Sequence, residues 1–446
     1  MYHAAMYDDS RPVPSYWEAT VAPDAEAYRP LEGDETCDVA VIGGGFTGLS
    51  CALHLARDFQ IDVRVLEAGS MGWGASGRNA GFCCLPATTL SVEQLIHRYG
   101  LEETQKFYRM QLDGMQVVRS LGADENIDFD LQGDGNLVVA HHPSRLAGVT
   151  TDADTLTRLF GIRTRIFSKD EFAATYHDST EQFGGMHMGA GFALHPLKFA
   201  QGLARVAALR GAKLHPHSLV KTWQRAGGQH RLVTARGTLK ARQVVVATNG
   251  FTREGLHPGF DRMLIPAISN IVTTRPLTDE ELARQRWQTQ IPICNTRTLL
   301  FYYRMLPDRS FLFGARGDLT GSPQDGQRMR SWMTRRLGEV FPGWCDVPIT
   351  HFWRGLVCVT RKLTPSVGRL DDDPSVWYGF GYHANGVNTA PWVGMTLAQQ
   401  IAGHDGDSTQ IPAVMQGLAP RFPFAWMRRY ALGCAYLYYR WQDARN

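Results

Sequence analysis

The sequence has no apolar run that approaches the 18 residues typical of a transmembrane helix. It also has no basic block, because 46 Lys and Arg residues and 43 Asp and Glu residues are spread along the chain, for a net charge of +3. We therefore expect neither a transmembrane helix nor a nucleic-acid partner, whereas association with a membrane surface stays open. The residues before Arg29 contain no apolar segment of the secretory type, so no secretory signal is predicted.

The eight cysteines include no CxxC pair, and their scattered positions predict neither a disulfide framework nor a zinc site. We interpret them as reduced thiols, which favours a cytoplasmic location. The histidine pairs His141, His142 and His215, His217 lack partners at ligand spacing, and no HExxH, Walker or nucleophile-elbow motif is present. No metal site is predicted.

The sequence does have the composition of a folded protein, with 44% hydrophobic and 20% charged residues in 446 positions. This length exceeds what one hydrophobic core usually supports, so we expect two domains, which could be interleaved. Residues 1–36 contain several prolines among polar residues, a composition that predicts an arm lying over a domain.

A βαβ unit is predicted directly after this arm. Asp38–Ile42 is a short apolar strand, Gly43–Gly48 a tight turn, and Leu49–Arg57 a helix with one apolar face. A second apolar strand, Val63–Leu66, follows. Such a unit is typical of a parallel sheet with helices on its faces.

Further along, Leu197–Leu209 is predicted to be a helix, Lys213–Val220 and Gln243–Ala247 strands, and Leu299–Gly314 part of an antiparallel sheet. The predicted fold class is α/β, or α+β overall, with a Rossmann-like domain interrupted by an antiparallel-sheet domain. The predicted boundaries are 37–95, 190–260 and 350–415 for the first domain, 96–189 and 261–349 for the second, and 416–446 for a C-terminal helix.

The strongest motif is Gly43-Gly-Gly45-Phe-Thr-Gly48, which lies between the first strand and the helix. Gly43 permits a tight turn, Gly45 lets the backbone approach a pyrophosphate, and Gly48 allows close packing of helix on strand. Glu67 ends the second strand and would accept hydrogen bonds from an adenosine ribose, which disfavours a 2′-phosphate and hence NADP. Strand, turn, helix and acid in this order favour a dinucleotide site over a structural turn.

The segment Trp73–Gly81 bears on the choice between NAD and FAD. It is rich in glycine and carries Ser76, Arg78 and Asn79, so it could run beneath the cofactor towards a flavin ring. An ordinary flexible loop is the alternative interpretation.

These motifs resemble those of the FAD-dependent amine and amino-acid oxidases, a family that includes glycine, sarcosine, γ-glutamylputrescine and pipecolate oxidases. The resemblance covers nearly the whole chain and is strongest to the γ-glutamylputrescine and L-pipecolate oxidase subgroup. The landmarks are, in order, Ser15–Trp17, the glycine turn, Ser76–Asn79, His195–Lys198, Ala247–Gly250, Trp353–Gly355, Thr360, Pro365, Gly379–Gly386 and Ala390–Pro391.

The resemblance implies FAD and a set of residues around it. These are Gly43, Gly45, Phe46, Thr47, Gly48, Glu67, Ala68, Ser76, Arg78, Asn79, Ala80, Gly81, Val220, Thr248, Asn249, Gly250, Gly355, Asn385, Gly386 and Val387. Gly355 stands where sarcosine oxidase has the cysteine that tethers its flavin, and Cys358 comes three residues later, so noncovalent FAD is expected. The family's aspartate after Thr360 is replaced by Arg361-Lys362, which weakens any substrate assignment taken from relatives.

Four side chains are candidates for the substrate side and the chemistry. Arg304 could clamp a carboxylate, and Tyr302 could pack over the substrate or donate a hydrogen bond to it. His383 could orient the amine, and Lys362 could assist reaction with oxygen. The alternatives are a surface arginine on a sheet and a structural histidine.

The resemblance implies transfer of a hydride from the carbon next to nitrogen to FAD, giving an imine, with O2 as the acceptor and H2O2 as a product. One alternative is a dehydrogenase that passes electrons to a quinone or another carrier. A second is a protein that binds FAD without turnover.

The C-terminal stretch places Tyr430, Cys434, Leu437, Tyr438 and Trp441 on one helical face, with Arg428, Arg429 and Arg440 nearby. We expect this face to pack on the FAD domain. Contact with a membrane surface or a partner is the alternative.

Overall fold

A computed structural model describes residues 2–22, 28–404, 406, 410–424 and 427–445 of the chain. The helices are α1 Tyr16–Thr20, α2 Phe46–Phe59, α3 Val92–Asp124 with a break at Gly100, α4 Leu146–Phe160, α5 Lys169–Thr175, α6 Pro196–Leu209, α7 Asp279–Arg284, α8 Pro323–Val340, α9 Gly386–Ile401 and α10 Arg428–Arg445. The strands are β1 Gly33–Ile42, β2 Val63–Leu66, β3 Phe82–Cys83, β4 Asn136–Val139, β5 Thr164–Phe167, β6 Gly185–Met188, β7 Phe192–Ala193, β8 Lys213–His215, β9 Thr222–Ala226, β10 Gln229–Val233, β11 Gly237–Val246, β12 Leu264–Pro276, β13 Ile293–Asn295, β14 Phe301–Met305, β15 Ser310–Arg316, β16 Ile349–Thr360, β17 Ser366–Arg369 and β18 Val376–Phe380.

The first sheet has the strand order β17-β18-β11-β1-β2-β8, and β10 and β9 extend it from β11. Its central strands β18, β11, β1, β2 and β8 are parallel, so their carboxyl ends meet at one edge. Helices α2, α6 and α9 pack together beside this sheet and bury a large apolar core with it. The predicted βαβ unit and the predicted α/β class are both present.

Several predicted elements differ in length from the observed ones. Helix α2 begins at Phe46, inside the predicted turn, because Gly45 is its N-cap residue. Strand β8 ends at His215 instead of Val220, since Pro216 has no N–H for a sheet and His217 has a φ of 50°. Strand β11 starts at Gly237, six residues before the predicted strand, where it pairs with Gly33 of β1.

The second sheet has the order β16-β12-β15-β14-β13-β4-β6-β5. Strands β14 and β15 pair antiparallel within the stretch Leu299–Gly314 that was predicted to belong to an antiparallel sheet, with Tyr302 opposite Gly314. Strand β16 pairs with β12 from Ile349 to Thr360, although the predicted boundary at 350 places it in the first domain. The next strand, β17, begins at Ser366 and pairs with β18, so the chain is again part of the first sheet from that residue.

The N-terminal arm crosses both halves of the molecule. The Tyr2 hydroxyl donates a hydrogen bond to the Pro266 carbonyl of β12, and the His3 N–H donates to Thr320. Trp17 of α1 is buried, and its Nε1 donates to the Asn79 carbonyl at 2.9 Å. Residues 23–27 of the predicted arm lie outside the described residues.

Helix α10 does not pack with the face that the sequence predicted. On that face Tyr430 is 66% exposed, Leu437 67%, Tyr438 56% and Trp441 52%, while Arg428 and Asp443 are buried on the other side. The reason is polar: Arg428 donates to the Leu264 carbonyl at 2.8 Å, and Asp443 accepts the Thr298 and Leu299 N–H groups at 2.8 and 3.0 Å. The predicted packing of the apolar face is therefore wrong. The side chain of Arg440 is outside the described residues.

In the described ranges, no helix combines the length and the apolar character that crossing a bilayer requires.

Candidate cofactor and substrate site

A cavity of about 890 Å³ runs from the carboxyl edge of the first sheet to the face of the second. Its walls include Ile42 and Leu66, where β1 and β2 end, and Ser269 and Tyr302 on the second sheet. The volume lies at the upper end of the range typical of small-molecule sites, roughly 300–1,000 Å³. A cavity of this volume suits an elongated ligand with a second small molecule at its far end.

Nearly all the residues that the sequence predicted around FAD line this cavity. The exceptions are Gly48, Gly81 and Gly250, which lie behind the wall. At Gly48 a Cβ would stand 1.9 Å from the Gly43 carbonyl oxygen, and at Gly81 it would stand 1.9 Å from the Leu194 carbonyl oxygen. These glycines therefore allow close backbone packing and do not themselves face a ligand.

The glycine turn brings backbone to the cavity where the ends of β1 and β2 meet. Gly43 has a φ of +113°, which favours glycine, and a Cβ there would stand 2.7 Å from the Ala247 carbonyl oxygen. At Gly45 a Cβ would stand 2.8 Å from the Ser76 hydroxyl. Gly43 and Gly45 both line the cavity, so the backbone of this turn faces a ligand there.

Two helices begin at the cavity without a side-chain cap. Helix α2 follows Gly45, and α9 follows Asn385, whose amide binds the Pro86 carbonyl and the Cys84 thiol instead of its own helix. By contrast, α3, α5, α7 and α8 each have a capping Ser or Thr hydroxyl. Uncapped N-termini carry positive partial charge and bind anionic groups.

Glu67 lies at the cavity wall beside the glycine turn. Its carboxylate accepts the N–H groups of Gly44 at 2.6 Å and Gly69 at 3.1 Å. Burial raises the pKa of this carboxyl, while the backbone N–H donors oppose that shift. The side chain is thus fixed at the place where the motif requires a ribose acceptor.

The segment from Trp73 to Gly81 is held in place rather than being a flexible loop. The Ser76 hydroxyl accepts the Phe46 N–H at 2.9 Å, and Asn79 accepts the Gly81 N–H at 2.7 Å. Buried Arg78 donates from Nε to the Trp73 carbonyl at 2.7 Å, and its Nη2 has no partner among the described residues. Burial lowers the pKa of Arg78 to about 10. A buried cation with an unused donor suits an anionic or polar ligand.

These features fit FAD. The glycine turn and the N-terminus of α2 would hold the pyrophosphate, Glu67 the ribose, and Arg78 with the N-terminus of α9 the flavin end. Gly355 lines the wall above Arg78, where the resemblance places a tethering cysteine in other family members. Cys358 also lines the cavity, and burial raises the pKa of its thiol to about 12.

The far end of the cavity is formed by the second sheet. Tyr302 lies on the wall, and its hydroxyl is 2.7 Å from the Ser269 hydroxyl. Gly314 makes room for this ring, because a Cβ there would stand 1.9 Å from it. Asn136, Cys294 and Arg316 line the same end. Tyr302 therefore lines the end of the cavity that the second sheet forms.

Arg304 does not reach this cavity, and the predicted carboxylate clamp at that position is wrong. The side chain is 1% exposed, donates to the Leu194 carbonyl at 2.7 Å and lies over the Trp17 ring. It points to the same side of β14 as Tyr302, but β3 and the chain before α6 separate it from the cavity. Burial lowers the pKa of Arg304 to about 9.

Arg316 lines the cavity, whereas Arg304 does not. It ends β15, lies opposite Ser269 in the register, and has no hydrogen-bond or ion-pair partner for its guanidinium among the described residues. The sequence held a signal for it: Gly314 and Arg316 are two residues apart, so both face the side of Tyr302.

Lys362 is also placed differently from the prediction. It does not line the cavity, and its Nζ donates to the carbonyl oxygens of Met415, Gln416 and Gly417 at 3.2, 2.9 and 3.1 Å. Because these three acceptors surround the ammonium group, Lys362 holds the 415–417 segment. The prediction that Lys362 provides a positive charge beside the cofactor is therefore wrong.

His383 does line the cavity. It is 3% exposed, its Nε2 is 3.2 Å from the Thr360 hydroxyl, and its Nδ1 has no partner among the described residues. Burial lowers the pKa of this imidazole to about 4, so it is neutral at pH 7. His383 can thus donate or accept one hydrogen bond without adding charge.

Tyr382 lines the cavity but was not among the site residues predicted from the sequence. Its hydroxyl is 2.7 Å from the Thr47 hydroxyl, joining the turn before α9 to the start of α2.

In the part of the chain that the structure describes, no group of three or more His, Cys, Asp and Glu residues could hold a metal ion.

Comparison with known proteins adds independent findings. Gamma-glutamylputrescine oxidoreductase of Escherichia coli (strain K12) is 29% identical over 431 residues, covering 95% of this chain and 96% of that protein. Glycine oxidase of Bacillus subtilis (strain 168) is 22% identical, covering 82% of this chain and 92% of that protein.

The crystal structure of glycine oxidase from Geobacillus kaustophilus has the same fold. Its TM-score is 0.68 at 21% identity, and the match covers 84% of this chain and 96% of that one. The family described as DAO, FAD dependent oxidoreductase, matches residues 38–400. The resemblance, the α/β fold class and the FAD cofactor expected from the sequence are thereby confirmed, and the chain belongs to the DAO family of FAD dependent oxidoreductases.

Proposed function

We propose that this protein oxidises the C–N bond of a small amine that carries a carboxylate, such as a secondary or cyclic amino acid or a γ-glutamylated amine, to an imine. The observation that carries the proposal is Arg316, a cation on the cavity wall without an anionic partner among the described residues. The names of the glycine oxidase and gamma-glutamylputrescine oxidoreductase relatives agree with an amine or amino-acid substrate.

The charges at the far end of the cavity suit this class of substrate. The acids among the described lining residues are Asp9 and Glu67, and neither is at the end formed by the second sheet. Arg316 would bind a carboxylate through paired N–H donors, with the Tyr302 hydroxyl as a further donor. With a guanidinium and no carboxylate nearby, an ammonium group is disfavoured, so the bound amine would lose its proton and become able to react.

When bound, FAD supplies the acceptor for the hydride that leaves the carbon next to nitrogen. The protein's part is to place that carbon and to adjust the potential around it. The uncapped N-terminus of α9 directs positive partial charge to the cavity. Neutral His383 offers a hydrogen bond without opposing loss of the amine proton. The functional side chains of this proposal are therefore Arg316, Tyr302 and His383, which line the cavity, and not Arg304 or Lys362, which do not.

We propose O2 as the electron acceptor, with H2O2 as a product, and FAD bound without a covalent bond. The test is anaerobic reduction by a panel of amines, followed by rapid mixing with air-saturated buffer. Fast reoxidation with formation of peroxide is expected. Negligible reoxidation would favour a dehydrogenase that uses a quinone or a carrier, and a flavin that no amine bleaches would favour a protein without turnover. Acid precipitation should release all the flavin into solution.

The substrate class has its own test in Arg316→Met. We expect the KM for carboxylate-bearing amines to rise by about 10- to 100-fold, from the loss of a charge-assisted interaction of roughly 1.5–3 kcal/mol. A diamine without a carboxylate should be affected little. The matched control is Arg328→Met, an exposed arginine of α8 that pairs with Asp325. Equal effects on both kinds of amine would contradict the proposal.

We further propose a cytoplasmic location, supported by thiols that form no disulfide among the described residues. Cell fractionation with a periplasmic marker tests this location.

A further inference from the structure

Helix α10 presents an apolar face to solvent. Tyr430, Cys434, Leu437, Tyr438 and Trp441 lie along it at spacings of three and four residues and are all exposed. The Tyr438 and Trp441 rings stack on each other with centroids 6.0 Å apart. Phe424 and Met427, just before the helix, are also exposed, at 68% and 44%. Contiguous exposed apolar patches are typical of surfaces that bind another protein or a membrane.

This orientation is set by polar contacts at both ends of the helix. Arg428 donates to the Leu264 carbonyl and forms an ion pair with Glu254 at 2.7 Å. Asp443 accepts two backbone N–H groups from the segment before β14. The helix is therefore anchored to the body of the protein by its polar side, and its aromatic side stays outside.

Positive charge is in excess in and around α10. Helix α10 contains four arginines and one acid, Asp443, which is buried against the protein. At its N-terminal end the Phe422 N–H donates to the Arg262 carbonyl, and Arg361 donates to the Arg421 carbonyl. Arg262, Arg361 and Arg421 are exposed. Exposed arginines thus lie at the segment that leads into α10.

We propose that α10 docks on the surface of a lipid bilayer with anionic headgroups, lying along that surface with its aromatic face in the headgroup region. Tyrosine and tryptophan, with an apolar ring and a polar group, prefer this interface. Arginines beside an amphipathic helix are attracted to anionic lipid. This inference does not depend on the proposed substrate.

A second copy of the chain fits the same face less well. A symmetric dimer through α10 would place the arginines of one copy close to those of the other. Two acids that contact the helix in the described residues are already used: Glu254 pairs with Arg428, and Asp443 faces inward. The charges therefore favour an anionic surface as the partner.

The test is cosedimentation of the FAD-loaded protein with vesicles of phosphatidylcholine alone and of phosphatidylcholine mixed with phosphatidylglycerol. We expect binding to the mixed vesicles that weakens as salt is raised, and little binding to phosphatidylcholine. The double variant Leu437→Glu, Trp441→Glu should lose at least tenfold in affinity. Leu209→Glu, at a site 66% exposed on α6, is the matched control and should bind as the wild type does.

The FAD absorbance spectrum and the melting temperature of each variant show whether it is folded. Equal binding by the double variant and the wild type would overturn the proposal, as would the absence of binding to mixed vesicles. Light scattering gives a third outcome: a dimer that the double variant dissociates would identify a second copy as the partner and would also overturn it.

Discussion

Gly45 is a residue of the cofactor site at which one added carbon atom meets a close neighbour. A Cβ there would stand 2.8 Å from the Ser76 hydroxyl, which itself binds the first N–H of α2. We expect Gly45→Val to displace this contact, close the approach to the pyrophosphate and give protein without FAD. The measurement is the ratio of flavin to protein absorbance after purification.

Gly148→Val is the matched control for this substitution. Gly148 lies on α4, and a Cβ there would meet no atom within 4 Å. This variant should retain FAD at the wild-type ratio. A full complement of FAD in Gly45→Val would contradict the cofactor placement.

His383 makes a prediction about pH. Its pKa is lowered to about 4 in the folded state from about 6.5 in the unfolded chain, so folding favours the neutral form. Its contribution to stability is complete above pH 6.5 and is lost as the pH falls towards 4. A shift of this size corresponds to about 3 kcal/mol. His383→Gln should therefore lose less stability than the wild type between pH 6.5 and 4.

The measurement is urea unfolding of the FAD-loaded protein at several pH values across this window. Buried His177 and His195 contribute to the same acid sensitivity, because burial also lowers their pKa values, to about 4 and about 3. The comparison is therefore between variants rather than of absolute stabilities. Exposed His97→Gln should follow the wild type. An unchanged pH dependence in His383→Gln would count against the neutral imidazole.

At the scale of single elements, local sequence patterns predicted the βαβ unit and the position of the dinucleotide motif. Apolar runs bounded by glycine identified β1, β2 and the βαβ unit, and the fixed order of strand, turn, helix and acid identified the dinucleotide site. These features are set by residues close in sequence. The antiparallel sheet that contains β14 and β15 was predicted from the alternating pattern of Leu299–Gly314 for the same reason.

What the sequence did not predict depends on contacts distant along the chain. Tyr302 and Arg304 share a side of β14, but whether a side chain reaches the cavity is decided by β3 and by Leu194, more than a hundred residues earlier. Likewise, the amphipathic pattern of α10 could not show which face is buried. Two polar anchors, Arg428 and Asp443, outweigh the usual burial of aromatic side chains.

Asp443 is therefore the element-scale test. Removing its carboxylate leaves the Thr298 and Leu299 N–H groups without their acceptor, at a cost of about 1–3 kcal/mol. We expect Asp443→Ala to lower the free energy of unfolding by that amount, as measured by urea denaturation. Asp443→Asn keeps one acceptor and should lose less. Equal losses would show that the charge, not the acceptor, matters.

At the scale of the whole molecule, the N-terminal arm joins the cofactor end to the second sheet. Ala4, Tyr7 and Asp9 line the cavity, and Trp17 holds the Asn79 carbonyl. We expect Trp17→Ala to lower the free energy of unfolding by about 3–5 kcal/mol. FAD should also dissociate faster, because the segment carrying Asn79 loses its support.

Release of FAD after dilution can be followed by its fluorescence. Trp223→Ala, at a half-buried tryptophan of β9 that does not line the cavity, is the matched control and should leave the release rate unchanged. A release rate in Trp17→Ala equal to that of the wild type would show that the arm has no part in retaining the cofactor.

The contact between Tyr2 and Pro266 has a consequence for the order in which the site is assembled. The two residues are 264 positions apart, so this hydrogen bond forms only when the chain has folded back on itself over more than half of its length. Ala4, Tyr7 and Asp9, which follow Tyr2, line the cavity. The wall that they form is therefore completed by a long-range contact and not by local folding of the arm.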